Sequence, residues 1–184
     1  MIIGVTGTDG GGKGTVVEYL VAQKGFAHGS ARTLLVTEME RRGLEISRAN
    51  MRITANSLRA EYGNDYLIQE YLRRQEKEGW GNLVIDSVRT LAEVETLKKY
   101  GGVLIAIDAD QKTRFARIQS RASESDKVTF EEFVAQEELE MNDPDPNGMQ
   151  KAKVIGVADY TIQNNGTLEE LHQKTDHILG QIKK

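Results

Sequence analysis

The sequence predicts a three-layer α/β/α fold built on a parallel sheet of about five strands, and three observations lead to it. A short apolar strand at residues 2–6 passes through a glycine-rich loop into a helix. Two further apolar strands, at 83–85 and 103–107, each end at an aspartate and lead into a helical stretch. Strands that alternate with helices imply right-handed crossovers, which place helices on both faces of a parallel sheet.

The first helix is predicted by an apolar face that follows the glycine-rich loop. The residues of this face, at helical spacing, are Val16, Val17, Leu20 and Val21. Gly25 is expected to end the helix, because glycine readily adopts the left-handed conformation found there. Residues 30–78, rich in Arg and Glu, then predict two or three inserted helices before the strand at 83–85.

The C-terminal half continues the alternation of strands and helices. Helices are expected over residues 91–100 and 111–122. A last strand at 160–162 enters the turn signal Asn-Asn-Gly at 164–166. Thr167 and the glutamate three residues later match a capping box, which predicts the start of a terminal helix.

Composition bounds the class of protein. With 184 residues the chain is expected to be a single domain, 1–184, with an acceptor-binding helical insertion at about 30–78 and a lid at about 122–150. The net charge of −4 argues against nucleic-acid or membrane-surface partners recruited by bulk charge. The absence of cysteine excludes disulfides and thiolate catalysis. No signal segment or membrane span is recognised, so a cytoplasmic protein is expected.

The glycine-rich loop carries the strongest functional signal. Its spacing, Gly, four residues and then Gly-Lys, is that of a phosphate-binding loop. Such glycines let backbone N–H groups face phosphate oxygens, and the helix start adds partial positive charge. A flexible linker is the alternative, but a linker would not normally lie between an apolar strand and an amphipathic helix. The predicted ATP-binding residues are Gly7, Thr8, Asp9, Gly10, Gly11, Gly12, Lys13, Gly14 and Thr15.

The loop resembles those of the nucleoside monophosphate kinases. Gly-Lys-Gly-Thr at 12–15 is similar to adenylate kinases, and Asp9 is similar to thymidylate kinases. Gly14 stands where many such loops have the Ser or Thr that contacts magnesium, and Thr15 offers a hydroxyl one residue later. The resemblance implies ATP and Mg²⁺ as cofactors, with Lys13 as a catalytic residue and with the magnesium held mainly by phosphates and water.

Asp86 and Arg89 follow the strand at 83–85. An acid at a strand end faces the loop across a parallel sheet, so Asp86 is predicted to act on magnesium through water, as a catalytic residue. The alternative for Asp86 is a helix cap. Arg89 and the threonine after it resemble the end of the adenylate kinase segment Asp-Gly-Phe-Pro-Arg-Thr, one residue closer to the aspartate. The resemblance implies that Arg89 binds an acceptor phosphate.

Arginines in the helix at 111–122 form a second candidate group. Arg114, Arg117 and Arg121 share one helix face. Arg117 and Arg121 match the adenylate kinase pair that flanks the donor nucleotide, which implies catalytic roles for both and ATP binding by Arg117. A solvated basic face is the alternative. In the acidic segment at 129–141, Gln136 stands where related sequences have an arginine. The absence of that arginine puts full phosphoryl-transfer activity in question.

Acceptor-binding candidates lie in the inserted helices. These are Arg32, Arg52 and Arg59, of which one or two are expected to face the cleft. His28 and Ser30 precede them, where the acceptor side should begin, although a lone histidine is more often structural. The three histidines show no metal-ligand spacing.

A wider resemblance covers nearly the whole chain. Segments at 41–45, 84–86, 112–115 and 158–170 are similar to a poorly characterised adenylate-kinase-related P-loop family of archaea. Dephospho-CoA kinases share the Ala-Asp-Tyr…Asn ending, which implies that Asn164, Asn165 and Gly166 edge the donor adenine.

The residues and the resemblance together predict an ATP-dependent kinase with a small nucleotide substrate, most specifically a nucleoside monophosphate. Dephospho-CoA kinase and thymidylate-type kinase are alternatives. A P-loop ATPase that acts on a macromolecular partner, or a nucleotide-binding regulator without turnover, belongs to different classes. The sequence identifies neither the acceptor nor the oligomeric state.

Overall fold

One parallel sheet organises the molecule. The computed structural model describes residues 1–120, 128–141, 143–145 and 147–182. The strands within these ranges are β1 Ile2–Gly7, β2 Ala27–Gly29, β3 Leu83–Ile85, β4 Val103–Asp108 and β5 Tyr160–Gln163. Their order across the sheet is β2-β3-β1-β4-β5, and every neighbouring pair is parallel. The predicted sheet is therefore confirmed.

Helices cover both faces of this sheet. Their bounds are α1 Lys13–Lys24, α2 Ala31–Arg41, α3 Arg48–Tyr62, α4 Tyr66–Glu78, α5 Leu91–Lys99, α6 Gln111–Ser120, α7 Phe130–Met141, α8 Lys151–Gly156 and α9 Leu168–Ile182. Residues of α1 and α9 share one apolar core with the sheet, whereas α2–α5 and α8 share the other. The three-layer architecture predicted from the sequence is confirmed, and so is the division of residues 30–78 into helices.

The two cores explain why the central strands are apolar along their whole length. Ile3 and Val5 of β1 lie in the core shared with α1 and α9. Gly4, between them, faces the opposite core, where an added Cβ would meet Leu97 and Val88. Successive strand residues point to opposite faces, so a strand covered on both sides needs a continuous apolar run.

The edge strand β2 is missing from the sequence prediction. Its three residues, Ala-His-Gly, show no apolar run or alternation. The strand forms because Ala27 pairs in parallel register with Leu83 of β3. Pairing with a neighbour distant in sequence leaves little local signal.

The strand order determines where a site can form. β1 lies between β3 and β4, so the segments that follow these three strands meet at one edge of the sheet. These segments begin at Thr8, Asp86 and Ala109. Ligands of open parallel sheets bind outside this carboxyl edge. Across the described part of the chain, no helix is both long and apolar enough to cross a membrane.

Candidate nucleotide-binding site

The loop between β1 and α1 has a backbone that glycine alone accommodates. Gly7 has φ +129°, and a Cβ there would lie 2.0 Å from the Ile107 carbonyl oxygen. Gly10 has φ +78°, and a Cβ there would lie 2.5 Å from the Arg114 carbonyl oxygen. Both positive φ values are costly for other residues. The loop is thus curled tightly against β4 and α6.

The start of α1 is left without a side-chain cap. Its N-cap, Gly12, provides no capping side chain, and its first turn contains no acid. The helices α2, α3 and α5 begin with capping hydroxyls from Ser30, Ser47 and Thr90, whereas α4 and α8 have no side-chain cap but do not follow a glycine-rich loop. The first N–H groups of a helix need acceptors. An uncapped, glycine-lined start therefore presents donors and partial positive charge toward an anion.

Lys13 folds back over this loop. Its Nζ donates to the carbonyl oxygens of Gly7, at 3.0 Å, and Thr8, at 2.8 Å, and lies 3.5 Å from Asp9 Oδ1. Burial lowers the pKa of Lys13 to about 8; Asp9 opposes this effect, and the like charges of Lys151 and Arg89 add to it. The ammonium is thus held at the loop by weak acceptors that phosphate oxygens could replace.

A second lysine reaches the same loop. The Lys151 ammonium lies 3.2 Å from Asp9 Oδ1 and 2.9 Å from Glu140 Oε2, and its side chain is 2% exposed. Burial works against the charge of Asp9, but Lys151, Lys13 and Arg89 outweigh it and hold the pKa of Asp9 well below its usual range. Positive charge from α1, from α8 and from the segment after β3 therefore acts on Asp9.

Arg114 and Asp108 brace the loop from β4 and α6. The Thr8 hydroxyl donates to Asp108 Oδ1 at 2.6 Å. Arg114 is buried and donates to the Asp9 carbonyl oxygen at 3.3 Å, to Ala109 and to Glu137 of α7. Arg114, which the sequence places on one helix face with Arg117 and Arg121, therefore has a structural role: it holds the loop against α6 and α7.

The segment predicted to edge the adenine lies against the loop. The buried Asn164 amide donates to the Gly11 carbonyl oxygen at 2.8 Å. Asn165 exchanges hydrogen bonds with the backbone N–H and side chain of Asp110. Gly166 lies so close to Glu170 that a Cβ would meet its carboxylate at 1.6 Å. These contacts fix the turn beside the loop.

Asp86 lies at the end of β3 with both carboxylate oxygens in contacts. Oδ1 accepts from the Ala31 backbone N–H at 3.0 Å, which caps α2, and Oδ2 lies 3.0 Å from His28 Nε2. The capping alternative is thus realised, on a helix that precedes Asp86 rather than one that follows it. Each carboxylate oxygen has a further lone pair, so these contacts leave room for a magnesium-bound water.

The arginines predicted to bind the acceptor differ in exposure. Arg59 is buried, with its guanidinium 3.8 Å from Glu93 Oε1 and 3.4 Å from the Asn147 carbonyl oxygen. Arg89 is half-buried and donates to Met149 Sδ at 3.2 Å. Arg32 is exposed on α2 and contacts Met51. Arg52 is exposed and lies 3.8 Å from Asp143.

The described residues that remain from the predicted donor side lie on α6, α7 and α1. Arg117 is half-buried on α6, and its Nη1 is buried without a hydrogen-bond partner among the described residues. Arg121 lies outside the described residues. Gln136 is exposed on α7, a helix with five glutamates and no basic residue. Gly14 and Thr15 lie in the first turn of α1, directly after Lys13.

Sequence reasoning missed Lys151, Arg114 and Asp108 as neighbours of the loop. Lys151 lies in a segment with no motif, and its place becomes visible only when α8 packs beside β1. Asp108 carried a usable signal, since it ends an apolar strand as Asp86 does. The burial of Arg114 depends on Glu137, which the sequence does not connect to it.

Comparisons with known proteins agree with this geometry. Residues 3–143 match a family model described as an AAA domain. A UPF0200 protein of Staphylothermus marinus is 34% identical over 98% of this chain and 92% of its own length. A UPF0200 protein of Methanocaldococcus jannaschii is 31% identical over 99% of this chain and 90% of its own. The chain belongs to the UPF0200 family.

Solved structures extend the likeness of this UPF0200 chain to kinases. TT1252 from Thermus thermophilus superposes with a TM-score of 0.65 at 22% identity, covering 98% of this chain and 97% of that one. Shikimate kinase from Bacteroides thetaiotaomicron gives 0.62 at 15% identity, with 98% of each chain covered. Identities this low show the fold alone, which is that of P-loop NTPases.

Proposed function

We propose that this UPF0200 protein is an ATP-dependent phosphotransferase acting on a small phosphate-bearing acceptor, most specifically a nucleoside monophosphate. The observation that carries the proposal is the uncapped start of α1 beneath a glycine loop, with Lys13 lying across it. Backbone donors and one ammonium are what a transferring phosphate group requires. The triphosphate would replace the loop carbonyls as the partner of Lys13.

The acceptor is assigned to the side of β3 and the inserted helices. Arg89 supports this assignment, because it follows β3, its backbone N–H donates to Glu93 beside Arg59, and its positive charge acts on Asp9 and Lys13 of the loop. A guanidinium between the loop and α3 can grip an acceptor phosphate with two parallel hydrogen bonds. Arg32 and Arg59 are the further acceptor-binding candidates, with Arg32 exposed for contact.

Magnesium fits the site only through water and phosphate. Among the described residues no group of three His, Cys, Asp or Glu side chains could hold a metal ion. Asp86, with lone pairs left over from its cap and its histidine, and Thr15, half-buried in the first turn of α1, would hold magnesium-bound water. The ion would supply charge neutralisation between the phosphates. Arg117, Arg121, Asn164, Asn165 and Gly166 remain proposed donor-side residues.

Dephospho-CoA and thymidylate remain the alternative acceptors, and one observation favours a further class. The glutamate-rich helix α7 offers no arginine to the transferring group. An ATPase that acts on a macromolecular partner needs no acceptor-binding arginine and fits such a helix.

The test is an acceptor screen with purified protein, ATP and Mg²⁺. ADP formation would be followed with each nucleoside monophosphate and with dephospho-CoA. The proposal expects one acceptor to raise ADP formation strongly above the acceptor-free rate. Equal rates with and without every acceptor would contradict it and favour the ATPase.

A further inference from the structure

Lys151 is a buried cation for which the proposed phosphotransfer mechanism assigns no task. It begins α8, far from the loop in sequence, yet its ammonium contacts Asp9 Oδ1 at 3.2 Å. Lys13 lies 3.5 Å from the same oxygen. Two ammonium groups, one from each end of the chain, therefore converge on one carboxylate of the phosphate-binding loop.

Positive charge outweighs negative charge at Asp9, which is half-buried. Lys13, Lys151 and Arg89 all act on its carboxylate, while Glu140 also contacts Lys151 and Glu93 also accepts from the backbone N–H of Arg89. The two ammonium groups lie at the glycine loop, where the uncapped start of α1 adds partial positive charge, so this region is suited to receive an anion.

The contacts of Lys151 leave one N–H donor for that anion. An ammonium group has three N–H donors, and Asp9 and Glu140 account for two. The side chain is packed so closely that it is 2% exposed, which restricts the rotamers available to the third donor. Glu140 belongs to α7, so this helix, although it has no basic residue, holds a lysine in place at the loop.

We propose that Lys151 donates to the terminal phosphate of the bound nucleoside triphosphate and thereby distinguishes a triphosphate from a diphosphate. Asp9 and Glu140 act as positioning residues that hold the ammonium. Lys151 transfers no proton: the terminal phosphoryl group leaves the bridging oxygen for the acceptor oxygen, and the ammonium offsets negative charge throughout. The inference rests on the proposed donor site and deepens it.

The experiment compares the affinities for ADP and for a non-hydrolysable ATP analogue by calorimetry. Lys151→Met is expected to weaken binding of the triphosphate by about tenfold or more and that of ADP by less than about threefold, because only the terminal phosphate loses a charge-assisted contact. Lys151→Arg, which keeps the charge, is expected to keep the preference. Lys153→Met is the matched control, because Lys153 is exposed on the same helix.

Lys151→Met leaves Asp9 and Glu140 without the ammonium that contacts both. The double variant Lys151→Met/Glu140→Gln removes one of these negative charges, so it provides a second measurement at a site with less uncompensated charge. Equal weakening of both nucleotides would show that Lys151 only supports the loop and would overturn the proposal. Unchanged affinities, or a preference lost equally in Lys151→Arg, would also overturn it. No acceptor is needed, so a failed acceptor screen beside an intact triphosphate preference would reject the proposed function and leave this inference standing.

Discussion

The proposed donor loop and the proposed acceptor side are held in place in different ways. The loop is shaped by its own glycines and contacts Arg114 and Asn164 chiefly through its backbone. On the acceptor side, Arg59 is fixed by the buried side chain of Glu93, which arrives from another helix. A site built from local backbone geometry can be recognised in sequence, whereas one built from distant side-chain pairs cannot.

The largest effect is expected on the acceptor side, on stability. Arg59→Ala removes the ion partner of Glu93, whose side chain is 1% exposed and whose pKa is raised by burial. Breaking a buried pair should lower the free energy of unfolding by about 3–5 kcal/mol. Urea denaturation measures this change. Arg41→Ala, which breaks an exposed pair with Glu38, should lower the free energy of unfolding by less than about 1 kcal/mol. Equal decreases in the two variants would contradict a structural role for the buried pair.

The donor loop should respond in activity rather than in stability. Lys13→Ala removes the ammonium that lies across the loop and should lower turnover by roughly 10²–10³, or about 3–4 kcal/mol. The melting temperature should change little, because Lys13 contacts carbonyl oxygens of its own loop. Lys112→Ala, an exposed residue of α6, is the control. Near-normal turnover in Lys13→Ala would refute the assignment of the loop.

Arg89 lies between the two regions and tests whether they are separate. Arg89→Ala should raise the Michaelis constant for the acceptor by about tenfold or more, the cost of about 1.5–3 kcal/mol for a charge-assisted contact. The constant for ATP should change much less, because Glu93 and Met149, the contact partners of Arg89, lie outside the loop. Steady-state kinetics with each substrate varied in turn measures both. Equal weakening of both substrates would place Arg89 on the donor side.

Asp86 tests whether magnesium is held at the end of β3. Asp86→Asn keeps an oxygen for the Ala31 N–H but removes the charge, so turnover and magnesium affinity should fall by about tenfold while nucleotide affinity stays. A magnesium titration of activity measures this change. His28→Ala, which removes only the partner of Oδ2, is the control. An unchanged titration in Asp86→Asn would leave Asp86 as the cap of α2.

The donor loop should also respond to pH. Because burial lowers the pKa of Lys13 to about 8, the ammonium loses its proton above that pH in the nucleotide-free protein, and ATP affinity should fall. Between about 8 and the usual 10.5 the unfolded chain binds more protons at this site, so the free energy of unfolding should rise with pH. Lys13→Met should abolish both trends, measured by titration and denaturation.

The sequence predicts much of the fold because the strands β1, β3 and β4 are apolar runs followed by recognisable loops. The loop from Gly7 is predicted residue by residue, since its chemistry resides in the backbone. The strand β2 escapes prediction because pairing with β3 creates it. Lys151 escapes because its role depends on Asp9, at the other end of the chain.

The proposed function requires that the terminal phosphate of ATP passes to a phosphate-bearing acceptor rather than to water. The most direct measurement follows γ-labelled ATP with the best acceptor of the screen and determines which product carries the label. The label is expected in the phosphorylated acceptor, in an amount equal to that of the ADP formed. Lys13→Ala is expected to abolish this labelled product. Label released entirely as inorganic phosphate, at a rate indifferent to the acceptor, would contradict it.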